Sequence, residues 1–341
     1  MPGLDCALVD WGVRAGDPDH PNRLALRQLN GYKLSVLRCW SMSPDPKALV
    51  SVVVAARNEE HHLEESLLSI LGQTGAFLEL VFVDDNSTDR TLDIAQLLSQ
   101  RDSRISVFQN PRQGKCAAFN YGVGQSRGRY VSIFAGDDVM PPGSLAKRLE
   151  AVFQLPDDRP GVGLSKIRTM STIARFDGHL VPRAAGRGAL SGVSPLMNRK
   201  ALEMIFPVPE SLPNEDTWME LAVLYLPGWN IVHSDTVCCH WRVHGGNSIN
   251  MTVGYHEYNR RITERFKALP MFFNKYAGLM TPEQQEALQR QIDCEQRRVA
   301  GDVLGVLCSK VSLVDRLRAL SITNRYFYEI RRRLFGILSG W

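Results

Sequence analysis

The sequence predicts an α/β fold, a mostly parallel sheet flanked by helices, followed by a C-terminal helical subdomain. Two observations carry this prediction. Between residues 51 and 153, short β-branched apolar runs alternate with segments whose apolar residues recur at helical spacing, and such alternation builds a parallel sheet covered on both faces. From residue 255 onward the strand pattern disappears and the apolar spacing is helical.

Taken in order, residues 1–47 mix Gly, Pro, Asp and Arg around a short apolar segment at 32–40 and end in the linker-like SMSPDP, so they read as an extension. Residues 51–56, SVVVAA, suit a strand buried on both faces. Asn58 and Glu59 then open a helix in which Leu63, Leu67 and Leu71 share a face. Residues 77–83 are the second strand, and Asn86, Ser87 and Thr88 offer oxygens to cap the next helix, whose Leu92, Ala95 and Leu98 face inward. Strand, helix and strand follow at 105–108, 114–125 and 130–134, then a helix at 142–153 with Pro142 in its first turn. After Pro156 the texture changes to short extended pieces at 161–179 and a Gly, Ala and Ser-rich wall at 184–194. A helix at 212–225 carries PNEDTWMELAV, and 230–244 reads as one or two strands ending in HWRVHGGNS. Thr281, Pro282 and Gln284 form a capping-box start, after which Leu288, Ile292, Val299 and Val303 keep one face apolar. The resulting organisation is an extension at 1–47, a catalytic-type α/β domain at 48–250 and helices at 251–341.

Three of the apolar runs end in carboxylates or amides. In an open parallel sheet the ligand lies beyond the carboxyl ends of the strands, so Asp84, Asp85, Asp137 and Asp138 are expected to converge. Such carboxylates repel one another unless a cation intervenes, and a hard divalent metal shared with a substrate phosphate is the economical solution. Ala55, Arg57 and Glu59 line the same end by their place after the first strand. Lys115, after Gly114 at a helix start, brings a cation and backbone N–H groups towards phosphate or base, unless it is a free surface lysine.

VSVVVAARNEE, VDDNSTDRT, GKCAAFNYG and GDDVMPPGSL, in this order and spacing, resemble the signature of family 2 glycosyltransferases with the GT-A fold, over about residues 49–250. The resemblance implies a Rossmann-like domain that moves a sugar, with inversion, from a nucleotide-diphosphate donor to a hydroxyl. UDP-sugars are the expected donors, and a glycan, lipid-linked or small-molecule acceptor in polysaccharide biosynthesis is the expected recipient. It further implies that Asp85 contacts the nucleoside, with Asp84 beside it. Asp138, with Asp137, would hold Mn²⁺ or Mg²⁺ on the diphosphate. Asp216 would be the general base, with Glu215 orienting or touching the acceptor. WRVHGGNS resembles the late element Y-R-x-H-x-x-N-x-S, with Trp241 in place of tyrosine; His244 would complete the metal shell, and Arg242 with the amides near Gly245 and Gly246 would cover the diphosphate. One departure stands out: the common D-x-D-D pattern has Ala135 at its first position, so the metal leans on Asp138 and another ligand.

Each acid also has a local reading. Asp137–Asp138 can be a turn before a helix, and Glu215 and Asp216 first-turn acids favoured by the helix dipole. Ala135 is the only support for a non-catalytic nucleotide-sugar or glycan-binding protein with a degenerate site. A sugar-nucleotide pyrophosphorylase would need a glycine-rich basic loop after the first strand, which VVVAARNEE lacks. Adjacent Cys238 and Cys239 point to opposite faces of a strand and lack zinc-ligand spacing.

A formal net charge of +4 on 341 residues is too small to indicate nucleic acid. Seven cysteines without C-x-x-C spacing, and no apolar run of bilayer length, point to a reduced cytoplasm. Residues 310–341 concentrate Lys310, Arg316, Arg318, Arg325, Arg331, Arg332 and Arg333 against Asp315 and Glu329, with Phe327, Ile330, Leu334 and Leu338 at helical spacing and Trp341 last. This tail is expected either to lie on an anionic membrane at its inner face or to pack on the protein.

Overall fold

The computed structural model describes residues 49–243 and 253–333. The expectations placed on residues 1–47, on His244, Gly245 and Gly246, and on Leu334, Leu338 and Trp341 lie outside the described residues.

Strand β1 (Leu49–Ala56) is followed by α1 (Leu63–Leu71), β2 (Phe77–Asp84), α2 (Thr91–Arg101), β3 (Ile105–Gln109), α3 (Lys115–Gln125), β4 (Tyr130–Ala135) and α4 (Ser144–Phe153). Then come β5 (Gly161–Met170), β6 (Leu180–Val181), β7 (Leu196–Asn198), α5 (Arg199–Ile205), α6 (Asp216–Tyr225) and β8 (Asn230–Arg242). One sheet runs β3-β2-β1-β4-β7-β5-β6, with β8 paired to β5. β1 to β4 are mutually parallel, β7 is antiparallel to both β4 and β5, and β8 runs parallel to β5.

The central strand shows why this sequence makes a sheet covered on both faces. Val53 and Ala55 enter the core beneath α3, α5 and α6 with Phe119 and Trp218, whereas Val52 and Val54 enter the opposite core with Leu63, Leu67 and Ile70 of α1. Period-two alternation thus fills two apolar layers, each fully buried valine contributing about 1.5–3 kcal/mol. Gly122 lets α3 lie directly on the sheet, because a Cβ there would come within 2.5 Å of Val53 Cγ1.

The loops at the carboxyl ends of β1 and β2 are stitched together. Asn58 N donates to Ser87 Oγ at 3.0 Å, Thr88 N to Asn58 Oδ1 at 2.8 Å and Glu59 N to Thr91 Oγ1 at 2.7 Å. Asn58 and Asn86 both take left-handed backbone, φ 57° and 56°, a conformation asparagine tolerates better than most residues. These contacts correct the capping expectation: Ser87 and Thr88 are spent on the neighbouring loop, and Asp89 Oδ1 takes the Thr91 N–H at 3.0 Å instead. Three helix starts also move. Left-handed Gly143 (φ 69°) delays the helix expected from Pro142 to Ser144; the helices expected from Asn58 and Leu212 begin at Leu63 and Asp216.

The C-terminal helices are α7 (Tyr255–Phe266), α8 (Ala268–Tyr276), α9 (Pro282–Val299), α10 (Val303–Leu307), α11 (Leu313–Leu320) and α12 (Arg325–Arg333). The Thr281 and Gln284 side chains make the predicted reciprocal capping box. Leu269, Phe272, Leu288 and Ile292 join the core that holds Trp218, whose ring meets Phe272 edge-on at 4.9 Å and whose Nε1 donates to Ile205 O at 3.1 Å. The apolar face stops short of the sequence expectation, since Val299 ends α9 half-exposed and Val303 opens a new helix. Buried Arg298 ties α9 to α7, donating to Thr263 Oγ1 at 3.0 Å and to Asn259 Oδ1.

Candidate active site

A cleft of about 520 Å³ opens at the carboxyl ends of β1, β2 and β4. Its lining includes Ala55, Arg57, Glu59, Asp85, Lys115, Asp137, Asp138, Glu215 and Asp216, nine of the residues singled out from sequence, from segments up to 161 positions apart. The parallel crossovers gather the first seven at the carboxyl ends of the strands, and Glu215 and Asp216 arrive from the start of α6.

Asp85 is buried and held rigid. Its Oδ1 accepts from Asn110 Nδ2 at 2.7 Å and Gly114 N at 2.9 Å, and its Oδ2 from Gly114 N at 3.2 Å. Asp84 faces away: its Oδ2 accepts from Ser87 N at 3.0 Å, and it does not line the cleft. This corrects its donor-side assignment, and the reason is strand alternation, which sends consecutive side chains in opposite directions.

Asp137 and Asp138 follow β4. Asp138 is 1% exposed, and its Oδ1 accepts the Arg242 backbone N–H at 2.8 Å. Burial first, and then the charge of Asp137, push its carboxyl up to about 8. Two adjacent carboxylates are oxygen donors of the kind a hard divalent cation takes. Among the described residues no group of three or more His, Cys, Asp or Glu side chains closes a metal site. Arg242 is placed differently from the sequence expectation. Its Nε donates to Asp137 O at 2.8 Å and its Nη2 to Glu65 Oε2 at 2.6 Å, so the guanidinium braces the acidic turn against α1 and is not among the cleft-lining groups. A bridge between Val139 and His240 ties the same turn to β8.

On the opposite wall, Lys115 Nζ meets Glu215 Oε1 at 3.2 Å. Burial works against the ammonium, but Glu215 and then Asp216 outweigh it and hold its pKa above the usual lysine value. Glu215 Oε2 and Asn214 Oδ1 are buried acceptors without a donor among the described residues. A Cβ on Gly192 would come within 2.6 Å of Glu215 Oε1, so that glycine leaves room for the glutamate. Asp216 opens α6, and its Oδ2 accepts from Arg265 Nη2 at 2.6 Å while Arg265 Nε donates to Thr217 Oγ1 at 2.7 Å. Arg265 comes from α7, and nothing in the sequence flagged it: it lies 49 positions from its partner in a helix dense with other arginines. Trp241 and Val181 complete the lining from β8 and β6.

Comparison with known proteins follows the same outline. Residues 51–177 match the family model described as glycosyl transferase family 2. An uncharacterized glycosyltransferase of Haemophilus influenzae is 33% identical over 107 residues, 31% of this chain and 43% of that protein. The GalNAc(5)-diNAcBac-PP-undecaprenol β-1,3-glucosyltransferase of Campylobacter jejuni is 35% identical over 103 residues, 30% of this chain and 33% of that protein. The chain therefore spans less than half the length of these relatives. A mannosyltransferase from Pyrobaculum calidifontis, solved with GDP-Man and Mn²⁺, shares the fold with a TM-score of 0.55 at 17% identity, covering 93% of this chain and 98% of that one.

Proposed function

We propose that the chain, whose residues 51–177 match the glycosyl transferase family 2 model and whose fold is shared with a solved mannosyltransferase, transfers a sugar from a nucleoside diphosphate sugar to an acceptor hydroxyl, inverting the anomeric configuration. The observation that carries the reading is the meeting of Asp85, Lys115, Asp137, Asp138, Glu215 and Asp216 in one cleft.

Asp85 receives the nucleoside. Asn110 and Gly114 fix its carboxylate, and the remaining capacity of Oδ2 suits an imide N–H or a ribose hydroxyl. The diphosphate lies toward Asp137 and Asp138, the residues that would hold a Mn²⁺ or Mg²⁺ ion. When bound, that ion supplies Lewis-acid stabilisation of the departing diphosphate. On the opposite wall Lys115 and Arg265 hold Glu215 and Asp216 in place by their ion pairs. Glu215 and Asn214 offer buried, unsatisfied acceptors to sugar hydroxyls, because a buried acceptor left without a donor is costly until a ligand supplies one. Asp216, anchored on one oxygen by Arg265, takes the acceptor proton as the nucleophilic oxygen attacks. With Asp216 acting as base on the acceptor hydroxyl, transfer proceeds as a single displacement.

The acceptor is a glycan on a lipid carrier. The Campylobacter relative, named for an undecaprenol-diphosphate-linked substrate, supports this choice. Screening nucleotide sugars by thermal unfolding, with and without Mn²⁺, tests the donor side, since a ligand that binds only the native state raises the midpoint. Absence of any shift across UDP-, GDP- and dTDP-sugars sinks the donor assignment. Binding without turnover in the presence of acceptor points instead to a non-catalytic sugar-nucleotide binder.

A further inference from the structure

Away from the cleft, the C-terminal helices leave large aliphatic side chains in solvent. On α10 Leu304 and Leu307 are 75% and 42% exposed, and on α11 Leu313, Val314 and Leu317 are 65%, 42% and 55% exposed. Leu313 and Leu317 are four residues apart and Val314 borders them, so they share one side of α11, while Ala319 on the other side is buried. Arg316 joins the two helices by donating to Leu307 O and Val311 O, each at 3.2 Å. Five large aliphatics on two adjoining short helices exceed the scattered single residues that a soluble surface normally carries.

The local charge leans positive. Residues 302–333 hold seven basic residues, Lys310, Arg316, Arg318, Arg325, Arg331, Arg332 and Arg333, against Asp302, Asp315 and Glu329, a surplus of four positive charges. A second copy docking here would bring that surplus against its own like, whereas an anionic bilayer offers the opposite sign with an apolar interior behind it. We propose that the α10–α11 face docks on an anionic membrane surface, its leucines and Val314 entering the headgroup boundary and the flanking cations meeting lipid phosphates.

This places the contact elsewhere than the tail stripe expected from sequence. In α12 the buried residue is Tyr328, whose ring lies 5.0 Å from that of Tyr258 and whose Oη donates to Val253 O at 2.7 Å, so that helix is committed to α7. Nor does any helix among the described residues have the length and apolarity to cross a membrane. The docking is independent of the transfer reading above.

Co-sedimentation of the full-length chain with vesicles of phosphatidylcholine, alone or with an equal part of phosphatidylglycerol, tests the proposal without reference to activity. The chain should pellet with the anionic vesicles at low salt and stay in solution with the neutral ones. Leu304→Asn/Leu313→Asn/Leu317→Asn should lower its partition coefficient by about tenfold or more with an unchanged melting midpoint. Lys310→Glu/Arg325→Glu, which alters no buried group, should weaken binding and flatten its salt dependence. Tyr326→Ser/Ile330→Ser on α12 should leave binding intact. Parent protein remaining in the supernatant, a triple-leucine variant that pellets like the parent, or binding lost only in the α12 variant would overturn the assignment. So would a leucine-dependent dimer in sedimentation velocity without vesicle binding.

Discussion

Replacing Glu220 by Gln should stabilise the protein, and only on the alkaline side. Glu220 lies one turn beyond Asp216 on α6; burial pushes its carboxyl up to about 7, with Arg265 opposing that rise and Asp216 adding to it. The unfolded chain releases this proton near the ordinary 4.5, so between the two values the native state binds more protons and stability falls as pH rises. The cost is absent below about 4.5 and complete above about 7. A difference of about 2.5 pH units, at about 1.4 kcal/mol each, sets an upper bound of about 3.5 kcal/mol. A glutamine keeps the shape and cannot ionise, so Glu220→Gln should equal the parent at pH 4.5 and exceed it by about 1–3 kcal/mol at pH 8. Urea unfolding at both pH values with an unchanged m-value measures this directly. A gain of equal size at both pH values, or a loss at pH 8, would refute the electrostatic reasoning.

Asp216→Asn should lower the transfer rate by about 10²–10⁴-fold while donor affinity, read by isothermal titration, stays within a few-fold. If donor affinity collapses instead, Asp216 belongs to the nucleotide site. Gly192→Ala should displace Glu215 from Lys115, because the added methyl would sit 2.6 Å from Glu215 Oε1, and should reduce kcat/KM by about tenfold or more with the melting midpoint unchanged. A fully active Gly192→Ala enzyme would show that the glutamate's position is not used. Asp138→Asn, or chelation of the parent, should abolish turnover while circular dichroism stays native; activity that survives a chelator would remove the metal from the scheme.

Much of this molecule is written in local pattern. β1, β2 and β4 were legible because a strand buried on both faces needs a mostly apolar run, and Val50 to Ala56, Leu78 to Val83 and Tyr130 to Phe134 each supply one, broken only by Ser51, Glu79 and Ser132. The carboxyl-end rule then placed Asp85, Asp137 and Asp138 in one crevice without coordinates. Side-chain direction was not legible. Asp84 and Asp85 are adjacent in sequence, yet one turns to Ser87 N and the other to the cleft, a choice set by where the strand ends. Long-range partners were also hidden. Arg265 looks like any arginine on a polar helix until α7 packs against α6 and sets it on Asp216. Arg242 looked like a phosphate ligand, but its fork is occupied by Asp137 O and Glu65. The cap of α2 was hidden because the neighbouring loop draws Ser87 and Thr88 into other bonds.

The central claim is that Asp85, the Asp137–Asp138 pair and Asp216 form one inverting transfer site. Its most direct measurement is a reaction followed by proton NMR, in which the chain, Mn²⁺, an α-linked nucleoside diphosphate sugar and a lipid-linked glycan acceptor are incubated together and the new anomeric coupling is read. The account predicts release of nucleoside diphosphate in step with a β-linked product, and loss of both in Asp216→Asn. An α-linked product, or a donor that stays intact with every acceptor tried while binding tightly, would contradict it.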